Sequence, residues 1–280
     1  FYIRNKPSLG HDKNNLKSLT LPNSAYVWLL GDSQLLKKNA IKNTLKVITQ
    51  MKPEIIAVNS ENRESLNIDS AYYSNCNKVF NDLCWHLTLT GASIYSQKII
   101  STIDEIDLKS CKNFPQISLI FNHLSKSCSF YWINKNLIFT RRTKKFQSYW
   151  VNNVFKVFID DFTNVIFNLP ECYGDTDKEK VIVNHSLKTK VFSFNNLLKF
   201  RSLSIYNYHS FRKYSRKLAV YSKVSILSLM FISLIPKFII SFLLKIDTKP
   251  FMSLIKFFGW HNEDSTEIKN KIYLFNIHCF

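Results

Sequence analysis

The stretch Tyr26-Val27-Trp28-Leu29-Leu30-Gly31-Asp32 decides the reading of the fold. Its first five residues are apolar and rich in β-formers, which suits a buried strand. Gly31-Asp32-Ser33 then reads as a turn. Downstream, Ile41, Leu45 and Ile48 recur at helical spacing among Lys and Asn, which predicts a helix over 35–50, and Pro53 stops it. Glu54–Asn59 (EIIAVN) reads as a second buried strand. Strand, acidic turn, helix and strand make an α/β unit. Tyr26–Leu30 is expected at the centre of the sheet, with 54–59 beside it and the helix over one face.

Further out the signals are mixed. Ser60–Lys78 is polar and reads as a loop, and Leu87–Tyr95 as a strand interrupted at Gly91. Pro115 suits the first turn of a helix running to Leu124. Ser129–Ile133 and Leu137–Thr140 look like a strand pair joined by the turn Asn134-Lys135-Asn136. Trp150–Phe162 is helical by pattern, with Asp160-Asp161 on its solvated face. Trp28 is expected in the core, and His86 and His123 as structural histidines. Arg141, Arg142, Lys144 and Lys145 form a basic loop suited to solvent or to a phosphate.

Composition narrows the classes. With 46% apolar residues in 280, the chain has ample material for a core and is not a disordered polypeptide. Its six cysteines include no C-x-x-C pair and no His at zinc-finger spacing, so reduced, non-metal cysteines are expected. The formal net charge of +18 points to an anionic partner. Scarce glycine with abundant Lys, Asn, Ile and Phe suggests coding bias, which discounts raw Lys counts. Bias does not explain why no acidic residue occurs from Lys180 to Ile246.

Transfer of a sugar from a nucleotide needs the leaving diphosphate neutralised, the acceptor hydroxyl deprotonated and the donor held in line. The strand and turn ending at Asp32 resemble the metal-binding stretch of the family 2 glycosyltransferases of GT-A type, most of all the bacterial transferases that build O-antigen and capsular polysaccharide. Asn5, Leu9-Gly10 and Asn14 before it, Leu36, Ala40, Leu45 and Pro53-Glu54-Ile55-Ile56 after it, and Thr90–Tyr95 also match that family. The likeness is good over residues 1–60 and looser to about 160. It implies a partial GT-A domain over 1–175, with the first strand and the ribose-binding acid expected ahead of Phe1. It also implies donor contacts at Asn5, Gly10 and Asp32, and a divalent Mg or Mn ion on Asp32. Two departures stand out. The family's further aspartates are Ser33 and Gln34 here, and Gln34 is a weak metal ligand, so metal affinity should fall. The helix start Asn113-Phe114-Pro115-Gln116 carries no acid for a base, leaving Asp104, Glu105 and Asp107 as the nearest carboxylates.

Residues 176–280 read as a mainly helical, basic region. Val224–Leu244 is strongly apolar, contains Pro236 and Lys237, and has serines spaced to form a narrow polar stripe. A helix lying in the membrane interface fits this pattern better than a span or a buried core helix. Arg212, Lys213, Arg216, Lys217, Lys223 and Lys237 would meet anionic headgroups on the cytoplasmic face, where lipid-linked glycan acceptors are found. The partners expected are therefore a nucleotide-sugar donor, such an acceptor and the membrane surface. A catalytically inactive relative or scaffold is the second reading, motivated by the turn's lost acids. A nucleic-acid binder is the remote third, and no nucleic acid is expected because no recognised binding motif adjoins the charge.

Overall fold

A computed structural model describes residues 2–61, 63, 68–141 and 150–245, the last four by their backbone alone. The basic loop from Arg142 to Lys145 and Cys279 lie outside the described residues. Two compact units emerge, one of 2–141 with 154–189 and the other of 150–153 with 190–245.

The first unit is mixed α/β. In chain order it contains α1 (Gly10–Thr20), β1 (Tyr26–Trp28), β2 (Gln34–Leu36), α2 (Ala40–Met51), β3 (Ile55–Ser60), β4 (Ala71–Tyr73) and α3 (Cys76–Leu87). Then come β5 (Ser93–Ser96), α4 (Gln97–Ile100), α5 (Pro115–Lys126), β6 (Phe130–Thr140), α6 (Phe162–Phe167) and α7 (Asp175–Thr189). The sheet order is β1-β5-β3-β6-β2, with β4 on the first half of β6. Only β3 and β6 run parallel among the described pairs.

The sequence places β1 at the centre, and the structure moves it to an edge. β1 pairs with β5 alone, and the centre belongs to β3, buried at all six positions. A strand covered on both faces reads as an unbroken apolar run, and IIAV is that run. Ile56 and Val58 meet Ala40, Ile94, Ile133 and Ile138 on the α2 side. The opposite side is covered by α3, α5 and α7, with Trp85, Trp132, Phe80, Phe121 and Tyr173 fully buried.

Other expectations shift in instructive ways. The helix over 35–50 begins only at Ala40, because 34–36 pair with β6 as a strand. Ala40 and Thr44 are its buried residues, whereas Ile41 and Leu45 face outward at 58% and 53% exposure. The small residues let the helix backbone approach the sheet. The polar loop 60–78 holds β4 and opens α3, and α3 reaches Leu87, so the strand expected from there starts at Ser93. The strand pair at 129–140 is one strand, whose register against β3 jumps after Val58. Asn134–Asn136 form an irregularity in it, where Asn59 Nδ2 donates to the Asn134 carbonyl. α7 packs on α3 and α6, so the first unit extends past residue 175 to Thr189.

The second unit is helical: α8 (Phe194–Ser202), α9 (Tyr208–Ser222), α10 (Ile226–Leu234) and α11 (Lys237–Lys245). Side-chain caps start the first three, with Ser193, Asn207 and Ser225 each accepting a bond from a backbone N–H three residues on. The apolar stretch 224–244 is broken into two nine-residue helices at Pro236, since proline cannot donate to the preceding turn. Tyr206 is fully buried and donates to the Leu229 carbonyl, and Arg201 Nε donates to that of Ile235 at 2.7 Å. Among the described residues no helix is long and apolar enough to cross a membrane.

Candidate functional site

The pairing of the strands defines one end of the first unit's sheet. The C-terminal ends of β1, β3 and β6 and the N-terminal end of β5 meet there. The turn after β1 projects from this end. Gln34 closes it twice: its N–H donates to the Gly31 carbonyl at 2.9 Å, and its Oε1 accepts from the Gly31 N–H at 2.7 Å. Arg141 N–H donates to the Ser33 carbonyl and ties the turn to the end of β6. Asp32, held between these anchors, is exposed to solvent.

Gly91 shapes the floor beside it. Its carbonyl accepts from Trp28 Nε1 at 2.9 Å, and a Cβ on it would collide with the Gln34 carboxamide. A larger residue here would displace the flexible end of that side chain and with it the bond from the Gly31 N–H. Trp28 is thus half-buried and polar-bonded, a brace as well as a core residue.

A second group gathers where α5 begins. Asn113 lies at φ +67°, a left-handed conformation that Asn tolerates better than most residues. Its N–H donates to Asp12 Oδ2 at 3.0 Å, and its Nδ2 donates to Asp161 Oδ2 at 2.7 Å. Asp161 Oδ1 pairs with Lys156 at 2.6 Å, and Asp12 Oδ1 with His11 Nδ1 at 2.8 Å. The helix start that has no acid of its own therefore receives two, one from α1 and one from the segment before α6. Burial opposes ionisation of Asp12, but the bonds from His11 and Asn113, with the nearby charges of His11 and Lys112, outweigh it and hold its pKa below the usual value. Asp161 corrects the sequence reading: it is buried, not on a solvated face. Lys156–Asp161 is π-helical, and the wider turn rotates its side chains away from the α-helical positions.

Gln116 connects this group to the same end of the sheet, since its Nε2 donates to the Thr88 carbonyl at 3.1 Å. Asp104, Glu105 and Asp107 lie at the other end. They follow the C-terminus of β5, and Glu105 pairs at 2.6 Å with Lys126, the last residue of α5. Ten residues of helix, roughly 15 Å at 1.5 Å per residue, separate Lys126 from Gln116. Asp107 caps the Lys109 N–H, and none of the three is brought to Asp32.

Asn5 and Gly10 shape the entry to α1. Asn5 Nδ2 donates to Asn14 Oδ1 and its Oδ1 accepts from Lys17, both at 2.9 Å. Gly10 opens the helix at φ +74°. His86 is structural, as expected: fully buried, it donates from Nε2 to the Val58 carbonyl at 2.9 Å, and burial pulls its pKa down to about 3. His123 pairs with Glu54 at 2.6 Å at the far end, where Lys98 also meets Glu54.

The donor set bears on a divalent ion. Gln34 Oε1 is committed to Gly31, and among the described residues no group of three His, Cys, Asp or Glu side chains could hold a metal. Asp32 alone offers a carboxylate at the turn. Such a set fits an ion shared with a ligand's phosphates and waters, not one held by the chain alone. Of the junction, only the empty helix start was noticeable from sequence; the doubled Asp160-Asp161 was a signal misread because the helix there is not α.

No family model matches the chain, and no curated protein does. Among solved structures it is similar to residues 1–349 of S. aureus TarS, at TM-score 0.46 and 12% identity over 79% of this chain and 69% of that one. The complex of that protein with UDP gives TM-score 0.46 and 11% identity over the same shares. Its UDP-GlcNAc complex gives 0.45 and 12%, over 80% of this chain and 71% of that chain.

Proposed function

We propose that the chain is part of a GT-A-type glycosyltransferase resembling family 2. On this reading it moves a sugar from a nucleotide-sugar donor to a lipid-linked or polysaccharide acceptor in cell-surface polysaccharide synthesis, at the cytoplasmic face of the membrane. The carrying observation is the YVWLLGD strand and turn, which leaves Asp32 as an exposed carboxylate at the end of the sheet where β1, β3 and β6 terminate.

In the reaction the acceptor oxygen bonds to the anomeric carbon, and the bond from that carbon to the donor phosphate breaks with its electron pair on the diphosphate. The acceptor's proton passes to a base. Asp32 is the residue that would hold Mg or Mn against the donor phosphates, where the ion neutralises the departing charge. Asp12 and Asp161 are the carboxylates nearest in role to a base, because they converge on the start of α5 at the same end of the sheet. Asp12 is the more exposed of the two. Its depressed pKa keeps it ionised at neutral pH and makes it a weak base. The test is transfer of labelled sugar from a panel of nucleotide sugars to a membrane lipid extract. Labelled lipid with intact chain and none with Asp32→Ala is expected; equal labelling by both would reject this turn as the donor site.

The second reading is an inactive relative. One observation favours it: Gln34 fills the position of a missing acid and spends its oxygen on Gly31. Gln34→Asp separates the two, since gain of metal-stimulated transfer marks a weakened enzyme and continued silence an inactive relative.

A further inference from the structure

We propose that the helical unit docks on an anionic lipid bilayer through the outward side of α10 and α11. α10 is apolar on both sides: Leu229 and Ile232 are buried in the helical unit, and apolar residues also cover its outer side. Its serines Ser228 and Ser233 are buried, while Leu227, Phe231 and Leu234 point outward at 74%, 49% and 56% exposure. Leu227, Phe231 and Leu234 are spaced four and three residues apart and share one side of α10, while Phe238 is exposed, at 70%, at the start of the next helix, beyond the break at Pro236. The buried serines bond locally, Ser233 Oγ to the Met230 carbonyl and Ser228 Oγ to Ser225 Oγ, both at 2.7 Å. Nothing polar is therefore left unsatisfied by turning the apolar side out. A helix with its outer side in water would carry polar residues there, and exposed apolar residues clustered in this way mark an interaction surface.

Charge selects the occupant. From Lys190 to Lys245 the chain has ten Lys and Arg and no acid. Arg212, Arg216, Lys223 and Lys237 are exposed on α9, at its end and at the start of α11. A second copy would bring the same positive charge against itself, and a nucleic acid could stack bases on Phe231 and Phe238 but offers nothing to Leu227 and Leu234. An anionic bilayer satisfies both, with basic residues at the headgroups and aliphatic and aromatic side chains just beneath. The break at Pro236 is fixed by Arg201 on the Ile235 carbonyl. The inference rests on this unit alone and is independent of the sugar-transfer reading.

The test uses the full chain, without any sugar donor, in flotation with phosphatidylcholine vesicles with and without phosphatidylglycerol. Binding to the anionic vesicles is expected. The paired variant Phe231→Ser and Phe238→Ser removes two outward-facing aromatic side chains and should weaken binding at least about tenfold, with circular dichroism checking that the fold is kept. The pair Arg212→Ser and Arg216→Ser should remove most of the preference for phosphatidylglycerol. Phe238→Trp should give tryptophan emission quenched by lipids brominated in their acyl chains. Failure of the intact chain to float, or unchanged flotation of the Phe231/Phe238 variant, overturns the proposal. So does light scattering that shows a dimer which those two substitutions dissociate while flotation persists, because the apolar side would then belong to a second copy.

Discussion

Asp32, Gln34 and Gly91 form a unit in which each residue's chemistry limits its neighbours. Gly91→Ala would push the Gln34 carboxamide off the Gly31 N–H. The expected cost is about 1 kcal/mol, the net worth of one hydrogen bond. In a Gln34→Ala background the same glycine change should cost almost nothing, so a double-mutant cycle by urea melts should show coupling of that size. Additive effects would mean that Gly91 is required for another reason. Asp161→Asn keeps shape but removes the charge facing Lys156 and puts an amide against Asn113. Asp161 is buried but Lys156 is exposed, so solvent screens the ion pair and about 1 kcal/mol of destabilisation, chiefly from the disturbed bond to Asn113, is expected in the same melts. Legibility at this scale was uneven. The place of Asp32 in a turn after β1 is readable because a turn after an apolar strand is a local pattern. Asp161 was missed because its meaning depends on Asn113, forty-eight positions away.

Among the elements, α3 is fastened to β3 by His86 on the Val58 carbonyl. The imidazole stays neutral, and its folded pKa of about 3 lies below the ordinary 6.5. The unfolded chain therefore takes up the proton first as pH falls. This contribution to stability is complete above pH 6.5 and drains away between 6.5 and about 3, amounting to several kcal/mol at the acid end. Denaturant melts across that range should show the slope, and His86→Gln should flatten it. Glu54 adds a second acid-labile tie. Burial disfavours its charge, but Lys98 and His123 more than compensate and lower its pKa, so its share is lost only below about its ordinary 4.5. Local composition revealed β3 and α5 well, since an apolar run and a proline-led periodic helix are read from adjacent residues. Sheet order was not readable. Whether YVW lies at a centre or an edge depends on β5, whose four residues follow a short helical turn that apolar content alone made look like strand.

The two units differ in what their surfaces can do. The first has a sheet core covered on both faces. Among its described residues the second carries only positive charge from Asp, Glu, Lys and Arg side chains, together with an apolar exterior on α10. Deletion of residues 205–246 should leave the α/β unit's circular dichroism and its His86-dependent acid transition intact while abolishing sedimentation with membranes. Loss of the acid transition in that variant would show that the first unit does not fold without the segment. The charge imbalance of the tail was visible in sequence, as was its greasy stretch. Which side of the helix would face out was not, because the spacing of serines is the same whether they face water or are buried, as Ser228 and Ser233 are.

The central position of β3 also carries a cost in time. Its neighbours come late: Glu54, just before it, bonds to Ser129, 75 residues further along the chain. A ribosome adding about 5–20 residues per second would leave IIAV without its parallel partner for several seconds. In that interval an apolar ribbon with open hydrogen-bonding groups is available to any other nascent chain. Yield in cells should therefore depend on chaperone supply and on growth temperature more steeply than the stability of the finished protein would suggest.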